Sequence, residues 1–131
     1  MTFDPRAIAT PVYEALAGLR SQYEGDPNRL KEQKNQAVEL YTYLSTWGMM
    51  RLKAEEKALK QKGKQEVVKK FFECLQILSG IKDLAAEDGL RVLKQTNLST
   101  EAYLGLTGLG LALAQEFSFW AAAIYWNIEE E

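Results

Sequence analysis

The run from Leu104 to Trp126 constrains the fold more than any other part of this 131-residue chain. It is 23 residues long and contains a single charged residue, Glu116. A run of this length can span a bilayer or lie at the centre of a helical bundle. A charge at the bilayer centre costs roughly 2.5 to 3.5 kcal/mol, and no Lys or Arg follows Lys94 to provide a basic flank. We therefore expect a bundle helix and no membrane span.

The rest of the chain shows helical periodicity, and no segment alternates apolar and polar residues for long enough to predict a strand. Asp-Pro pairs at residues 4–5 and 26–27 predict two helix starts. The sequence thus predicts an all-α, single-domain bundle of about five helices over residues 1–131. We expect helices over Asp4–Tyr23 (continuous or split at Pro11), Pro27–Gln61 (long), Val67–Leu78, Leu84–Gln95 (short) and Thr100–Asn127 (long and apolar).

Glycines are expected to interrupt these helices or to bring them close together. Gly48 predicts a kink or a close helix contact in the second helix, and Gly63 is expected to end that helix. Gly105, Gly108 and Gly110 each cost roughly 0.8 to 1 kcal/mol of helix propensity relative to alanine, so we expect them to serve close packing in the core. The side chains expected to be mostly buried are Leu40, Leu44, Phe71, Leu75, Leu109, Leu113 and Trp120.

Residue types that common catalytic sites require are missing from the sequence. The chain has no histidine, which excludes His-dependent catalysis and His-containing zinc sites, and it has no glycine-rich nucleotide-binding motif. Its single cysteine, Cys74, cannot form an internal disulfide and is expected to be a small buried side chain in a reducing compartment. The first residues, MTFDPRAIATP, do not show the charged-then-apolar pattern of a secretion signal, so we expect no secretion. We therefore expect a cytoplasmic protein that is not an enzyme and has no catalytic residue, metal or cofactor.

Charge is distributed unevenly along the chain. The segment 29–70 contains 11 Lys or Arg and 5 Glu, a net charge of +6, whereas the remaining residues carry a net charge of −8. This segregation favours binding to a polyanion or to an acidic neighbour. Head-to-tail association of copies of the chain, with a basic segment against an acidic one, is a further interpretation.

Four lysines in the basic segment share one predicted helix face. Lys53, Lys57, Lys60 and Lys64 follow one another at steps of four, three and four, and on a continuous helix they would span a sector of about 60°. Ammonium groups arranged in this way can contact a phosphate backbone without reading a base sequence. An ordinary solvated helix face would show the same pattern.

The layout of the chain resembles that of the small all-helical subunit of type III CRISPR effector complexes, of the Cmr or Csm type. In order, the resemblance rests on a short first helix, a long helix with an apolar-Gly pair, a basic turn, an aromatic helix, a Ser-Thr-acid start and a Trp-centred end. These segments read PVYEALAGLRSQY, LSTWGMMRLKAE, KQKGKQE, KKFFECLQILSG, STEAYLGLT and EFSFWAAAIYW. The last helix departs from the family in having more glycines, and in ending in more aromatic and acidic residues.

The resemblance implies a non-catalytic subunit that stacks as a filament and contacts the guide and target RNA. Its partners would be copies of itself, the other subunits of the complex, and the RNA. The matching basic residues in this sequence are Arg51, Lys53, Lys57, Lys60 and Lys64. The alternative is a helical protein–protein adaptor or an antitoxin-like bundle, in which the basic residues have no nucleic-acid partner.

Overall fold

The computed structural model describes residues 6–95 and 98–129, and within these ranges the chain is all-helical. The predicted helix start at Asp4 and Pro5 lies outside the described residues. Six helices occur in this part of the chain, because the predicted second helix is divided in two. They are α1 (Arg6–Gln22), α2 (Pro27–Trp47), α3 (Met49–Ala58), α4 (Lys62–Ser79), α5 (Gly89–Lys94) and α6 (Thr100–Ile124).

Several helix ends lie where the local sequence signals predict them. The Asp26 carboxylate accepts a hydrogen bond from the Arg29 backbone N–H at 3.2 Å, which caps the start of α2. The Ser99 hydroxyl caps α6 by accepting from the Ala102 N–H at 3.1 Å. Gly80 follows α4 with a φ of 73°, in the left-handed region that glycine adopts without a steric penalty. α1 runs without a break through Pro11.

Gly48 separates α2 from α3. Its φ of 90° and ψ of 171° interrupt the helix, and a Cβ placed there would meet no described atom within 4 Å. Gly48 therefore acts through its backbone conformation and does not admit a close helix contact. Of the two alternatives that the sequence left open, the kink is the one observed.

The prediction that Gly63 ends the second helix is wrong. The helical segment ends earlier, at Ala58, and Gly63 lies in the first turn of α4. A Cβ on Gly63 would lie 2.6 Å from the Glu32 Cβ and 2.7 Å from the Arg29 carbonyl oxygen. The glycine is thus needed where α4 crosses α2 closely.

The predicted fourth helix is shorter than expected, and Gly89 is its first residue. Helix α5 begins at Gly89 and not at Leu84, and turns and bends precede it. A Cβ on Gly89 would lie 2.3 Å from the Leu84 carbonyl oxygen and 2.6 Å from the Lys53 Cε. The chain is therefore folded tightly against itself at the start of α5.

One hydrophobic core joins all six helices. Of the side chains expected to be buried, five are at most 2% exposed, namely Leu40, Leu44, Phe71, Leu75 and Leu113. Leu109 and Trp120 pack at the edge of the core and are only partly buried. Phe71 forms edge-to-face ring contacts with Phe72 and Phe117, at centroid distances of 5.1 and 5.8 Å.

Helix α6 packs against α1, α2 and α4, and it is buried on one side only. Gly110 fulfils the predicted packing role, since a Cβ there would lie 2.5 Å from the Met49 Cε. The same prediction is wrong for Gly105 and Gly108, which are exposed and have no described atom within 4 Å of a built Cβ. No helix in residues 6–95 and 98–129 combines the length and apolar character needed to cross a membrane.

Candidate nucleic-acid interface

The five basic residues singled out by the sequence do not share one helix. Arg51 and Lys57 lie on α3 and are exposed, and the Arg51 guanidinium lies 4.4 Å from the centre of the Trp47 ring. Lys60 is exposed in the connection between α3 and α4, and Lys64 is half-buried on α4. The predicted stripe along a single helix is therefore wrong.

The stripe breaks because the helix ends between Lys57 and Lys60. The residue after α3, Leu59, has an extended backbone with a φ of −65° and a ψ of 135°. Gln61 is extended as well, and α4 begins immediately after it. The regular rotation of 100° per residue, on which the predicted sector depends, is lost over these residues.

The prediction that Lys53 faces solvent is also wrong, because its side chain is buried. Only 3% of the residue is exposed, and its Nζ donates to both carboxylate oxygens of Glu56 at 3.0 and 3.2 Å. The ammonium group also lies 4.7 Å from the centre of the Phe72 ring, a cation–π contact. Lys53 thus stabilises the packing of α3 against α4 and is not available to a nucleic acid.

The structure instead gathers basic side chains around a shallow cleft of about 550 Å³, which we call the basic cleft. It lies where α3, α4 and the start of α2 meet the segment 85–87. Its lining includes three carboxylates, Glu56, Glu66 and Glu87. Its cationic lining residues are Arg29, Lys57, Lys62 and Lys69.

Most of the negative charge in the basic cleft is already paired. Glu66 forms a two-bond ion pair with Arg29, at 3.0 and 2.7 Å, and Glu56 is bonded to Lys53. Among the described residues, Lys57, Lys62 and Lys69 have no carboxylate within 4.0 Å, and all three are exposed. Three unpaired ammonium groups therefore face a single unpaired carboxylate, Glu87. The basic cleft consequently has a positive potential that attracts anions.

Lys62 and Lys69 were not among the predicted contact residues, although the sequence contains a signal for them. They are seven residues apart on α4, so they lie on the same side of that helix, with Glu66 between them. This spacing is visible only once α4 is known to begin at Lys62. Lys62 also lies in the first turn of α4, where the helix dipole adds to the positive potential.

A second depression adjoins the basic cleft. It measures about 310 Å³, and it shares Arg29 and Lys62 with the basic cleft while adding Lys60. Asp26 and Glu32 line it too, and each accepts a hydrogen bond from a backbone N–H. The two concavities are thus neighbours that share two cationic side chains.

A buried polar network supports the floor of the basic cleft. The Gln33 side chain, which is fully buried, donates to Glu66 at 3.2 Å and accepts from the Tyr125 hydroxyl at 2.7 Å. Burial alone would raise the pKa of Glu66, but hydrogen bonds from Arg29, Tyr23 and Gln33 outweigh it and lower that pKa. Glu66 therefore stays ionised and keeps Arg29 in place.

The Cys74 thiol does not line the basic cleft. Within the described residues, no group of three or more Cys, Asp or Glu side chains could hold a metal ion. Cys74 is 6% exposed, which confirms the expected buried thiol, and burial raises its pKa to about 11. A thiol with such a pKa is a poor nucleophile at neutral pH.

Comparison with known proteins gave no relative for this chain: no family model, no curated protein and no solved structure matches it. Among the surfaces of the described residues, the basic cleft has the clearest chemical character.

Proposed function

We propose that this chain is a non-catalytic helical subunit that binds the phosphate backbone of a nucleic acid through the basic cleft. The observation that carries the proposal is the set of three exposed and unpaired lysines, Lys57, Lys62 and Lys69, around one concavity. Lys60 extends the surface into the adjoining depression. Lys53, which is buried, is not part of the proposed interface.

Lysine side chains in such an arrangement can bind the phosphate backbone of a nucleic acid, but they do not read its base sequence. An ammonium group is a compact point charge with three donors, so it pairs with a phosphate in many orientations. Each phosphate that is neutralised releases counter-ions, which makes the affinity depend steeply on salt. The proposed binding is therefore tolerant of sequence and strongest at low ionic strength.

The resemblance in layout supports RNA as the nucleic acid. On that basis we propose that the chain is the small subunit of a type III CRISPR effector complex in the cytoplasm, where copies of it stack as a filament along the guide and target RNA. Cutting and signalling chemistry would belong to other subunits. Arg51 is exposed with its guanidinium over Trp47, but it lines neither concavity and is not part of the proposed interface.

A protein–protein adaptor is the second candidate function, and one observation favours it. Leu104, Phe119 and Trp126 are 64%, 61% and 75% exposed, which leaves large apolar side chains in contact with water. Exposed aromatic residues of this kind are enriched at protein interfaces. In an adaptor the basic cleft would have no nucleic-acid partner, so RNA binding distinguishes the two functions.

The test compares two double variants that remove the same charge from different places. Lys62→Gln with Lys69→Gln alters the basic cleft, whereas Lys82→Gln with Lys94→Gln removes two exposed lysines that do not line it. Binding of a labelled single-stranded RNA is measured by fluorescence anisotropy at low salt. We expect the first variant to weaken binding about tenfold on several RNA sequences, because two phosphate contacts are lost, and the second to bind like the wild type. Equal affinities of the two variants would refute the proposed site.

A further inference from the structure

One side of α6 carries exposed residues near both ends of the helix, including the large apolar side chains of Leu104 and Phe119. We define the outer face of α6 by its exposed or half-buried residues Leu104, Gly105, Gly108, Ala112, Phe119 and Trp126. Trp126 lies on the turn that follows the helix. The opposite side of α6 contributes Leu113 and Phe117 to the core, so the exposure of the outer face is not a consequence of loose packing.

The spacing along the outer face is that of a helix–helix seam. Within α6, Gly105, Gly108, Ala112 and Phe119 follow at steps of three, four and seven, and Trp126 lies on the turn after the helix. This is the heptad spacing that keeps a stripe facing one partner helix. A Cβ on Gly105 or Gly108 would meet no described atom within 4 Å, so these glycines leave room for an approaching backbone.

The charged residues of α6 and of the described segment that follows it are all acidic. Glu101, Glu116 and Glu129 lie at its start, near its middle and after its end, and no Lys or Arg follows Lys94 in the sequence. Two copies paired in parallel would place each glutamate beside its own counterpart. Two copies paired antiparallel about Gln115 would bring the two Glu116 side chains together, and like charges at such positions are unfavourable.

We infer that the outer face of α6 binds an amphipathic helix of another protein, whose apolar stripe is flanked by Lys or Arg. Phe119 and Trp126 would insert into that stripe as anchors, and Gly105 and Gly108 would let the two helix axes approach closely. The basic flanks would pair with Glu101, Glu116 and Glu129. The outer face shares no residue with the basic cleft, so this interaction adds a protein partner to the proposed nucleic-acid contact.

The test uses two synthetic helical peptides of about three heptads, with Leu and Ala at the seam positions. One peptide has Lys at the flanking positions, and the matched peptide has Glu there. Binding to the full chain is followed by fluorescence anisotropy of the labelled peptides. We expect the Lys-flanked peptide to bind about tenfold more tightly than the Glu-flanked one. No binding of either peptide would overturn the inference.

Uncharged substitutions separate a specific interface from general attraction of a cationic peptide. Phe119→Ser with Trp126→Ser should weaken binding of the Lys-flanked peptide about tenfold or more. Ile77→Ser is the control, because Ile77 is 77% exposed on α4 and does not belong to the outer face. Circular dichroism confirms that each variant is folded. Unchanged binding by the double variant would overturn the inference, and so would a wild-type dimer in sedimentation that this variant dissociates, because a second copy would then cover the face.

Discussion

Lys53 and Lys57 are one turn apart on α3, but only one of them reaches solvent. The two side chains point about 40° apart on the helix, and this small rotation lies across the boundary between core and surface. Lys53 turns inward because Glu56 neutralises it, the Phe72 ring receives it and Gly89 leaves room for it. Phe72 and Gly89 lie on α4 and α5, so no spacing within α3 could have predicted the burial of Lys53.

The close packing around Gly89 can be tested by adding a single methyl group. Gly89→Ala would place a Cβ 2.3 Å from the Leu84 carbonyl oxygen, which is backbone and cannot move aside cheaply. We expect the free energy of unfolding to fall by about 1 to 3 kcal/mol, as for other overpacked sites. Urea unfolding of the purified variant measures the change.

Gly108→Ala is the matched control for this substitution. The same methyl group meets nothing on the outer face of α6, and alanine is the better helix former, so we expect a gain of roughly 0.4 to 1 kcal/mol. Equal effects of the two substitutions would contradict the close contact at Gly89.

At the scale of the helices, a helix end was predictable where the sequence has a capping residue or a terminating glycine, and it was not predictable elsewhere. Asp26, Ser99 and Gly80 mark the ends of their helices as the sequence indicated. The end of α3 has no such signal, because Ala58 and Leu59 are good helix formers. After this break α4 packs closely onto α2, and Gly63 is needed at that contact. In the sequence, where this contact is not visible, the break is predicted at Gly63 itself.

A buried hydrogen bond from Tyr125, the residue that caps the C-terminus of α6, is one of the contacts that join α6 to α2. Its hydroxyl donates to the Gln33 side chain at 2.7 Å, and both residues are fully buried. Tyr125→Phe leaves the Gln33 oxygen without this donor. We therefore expect the free energy of unfolding to fall by about 1 to 3 kcal/mol, measured by urea unfolding.

Tyr13→Phe is the comparison for this variant, since Tyr13 is 49% exposed. Loss of its hydroxyl should change the free energy of unfolding by less than about 0.5 kcal/mol. An equally small effect of Tyr125→Phe would mean that the buried hydrogen bond does not stabilise the fold.

At the scale of the whole molecule, the sequence predicted the basic region but not the residues that form its surface. The net charge of +6 over residues 29–70 located the region correctly, since all the cations of the basic cleft fall within it. Lys62 and Lys69 on α4 join Lys57 on α3 only because the helix is interrupted after Ala58 and α4 packs against α3. Which lysines meet at a concavity is therefore a property of the assembled helices.

The polar network beneath the basic cleft should make stability depend on pH. The folded pKa of Glu66 lies below the ordinary value of 4.5. The unfolded chain therefore binds the proton more readily, so the contribution of Glu66 to stability is complete above about pH 4.5 and is lost as the pH falls through the folded pKa. We expect the difference in free energy of unfolding between the wild type and Glu66→Gln to shrink between about pH 6 and pH 3. Urea unfolding across this range measures it, and a difference that is constant with pH would contradict the role of the Glu66 carboxylate.

The central claim is that the basic cleft binds a phosphate backbone, and the salt dependence of RNA binding tests it most directly. The logarithm of the association constant for a single-stranded RNA is measured against the logarithm of the salt concentration, for the wild type and for Lys62→Gln with Lys69→Gln. Each phosphate contact that is lost lowers the magnitude of this slope by about 0.7, so we expect the double variant to show a slope shallower by about 1.4. The same slope for both proteins, or a wild-type affinity that does not change with salt, would contradict the claim.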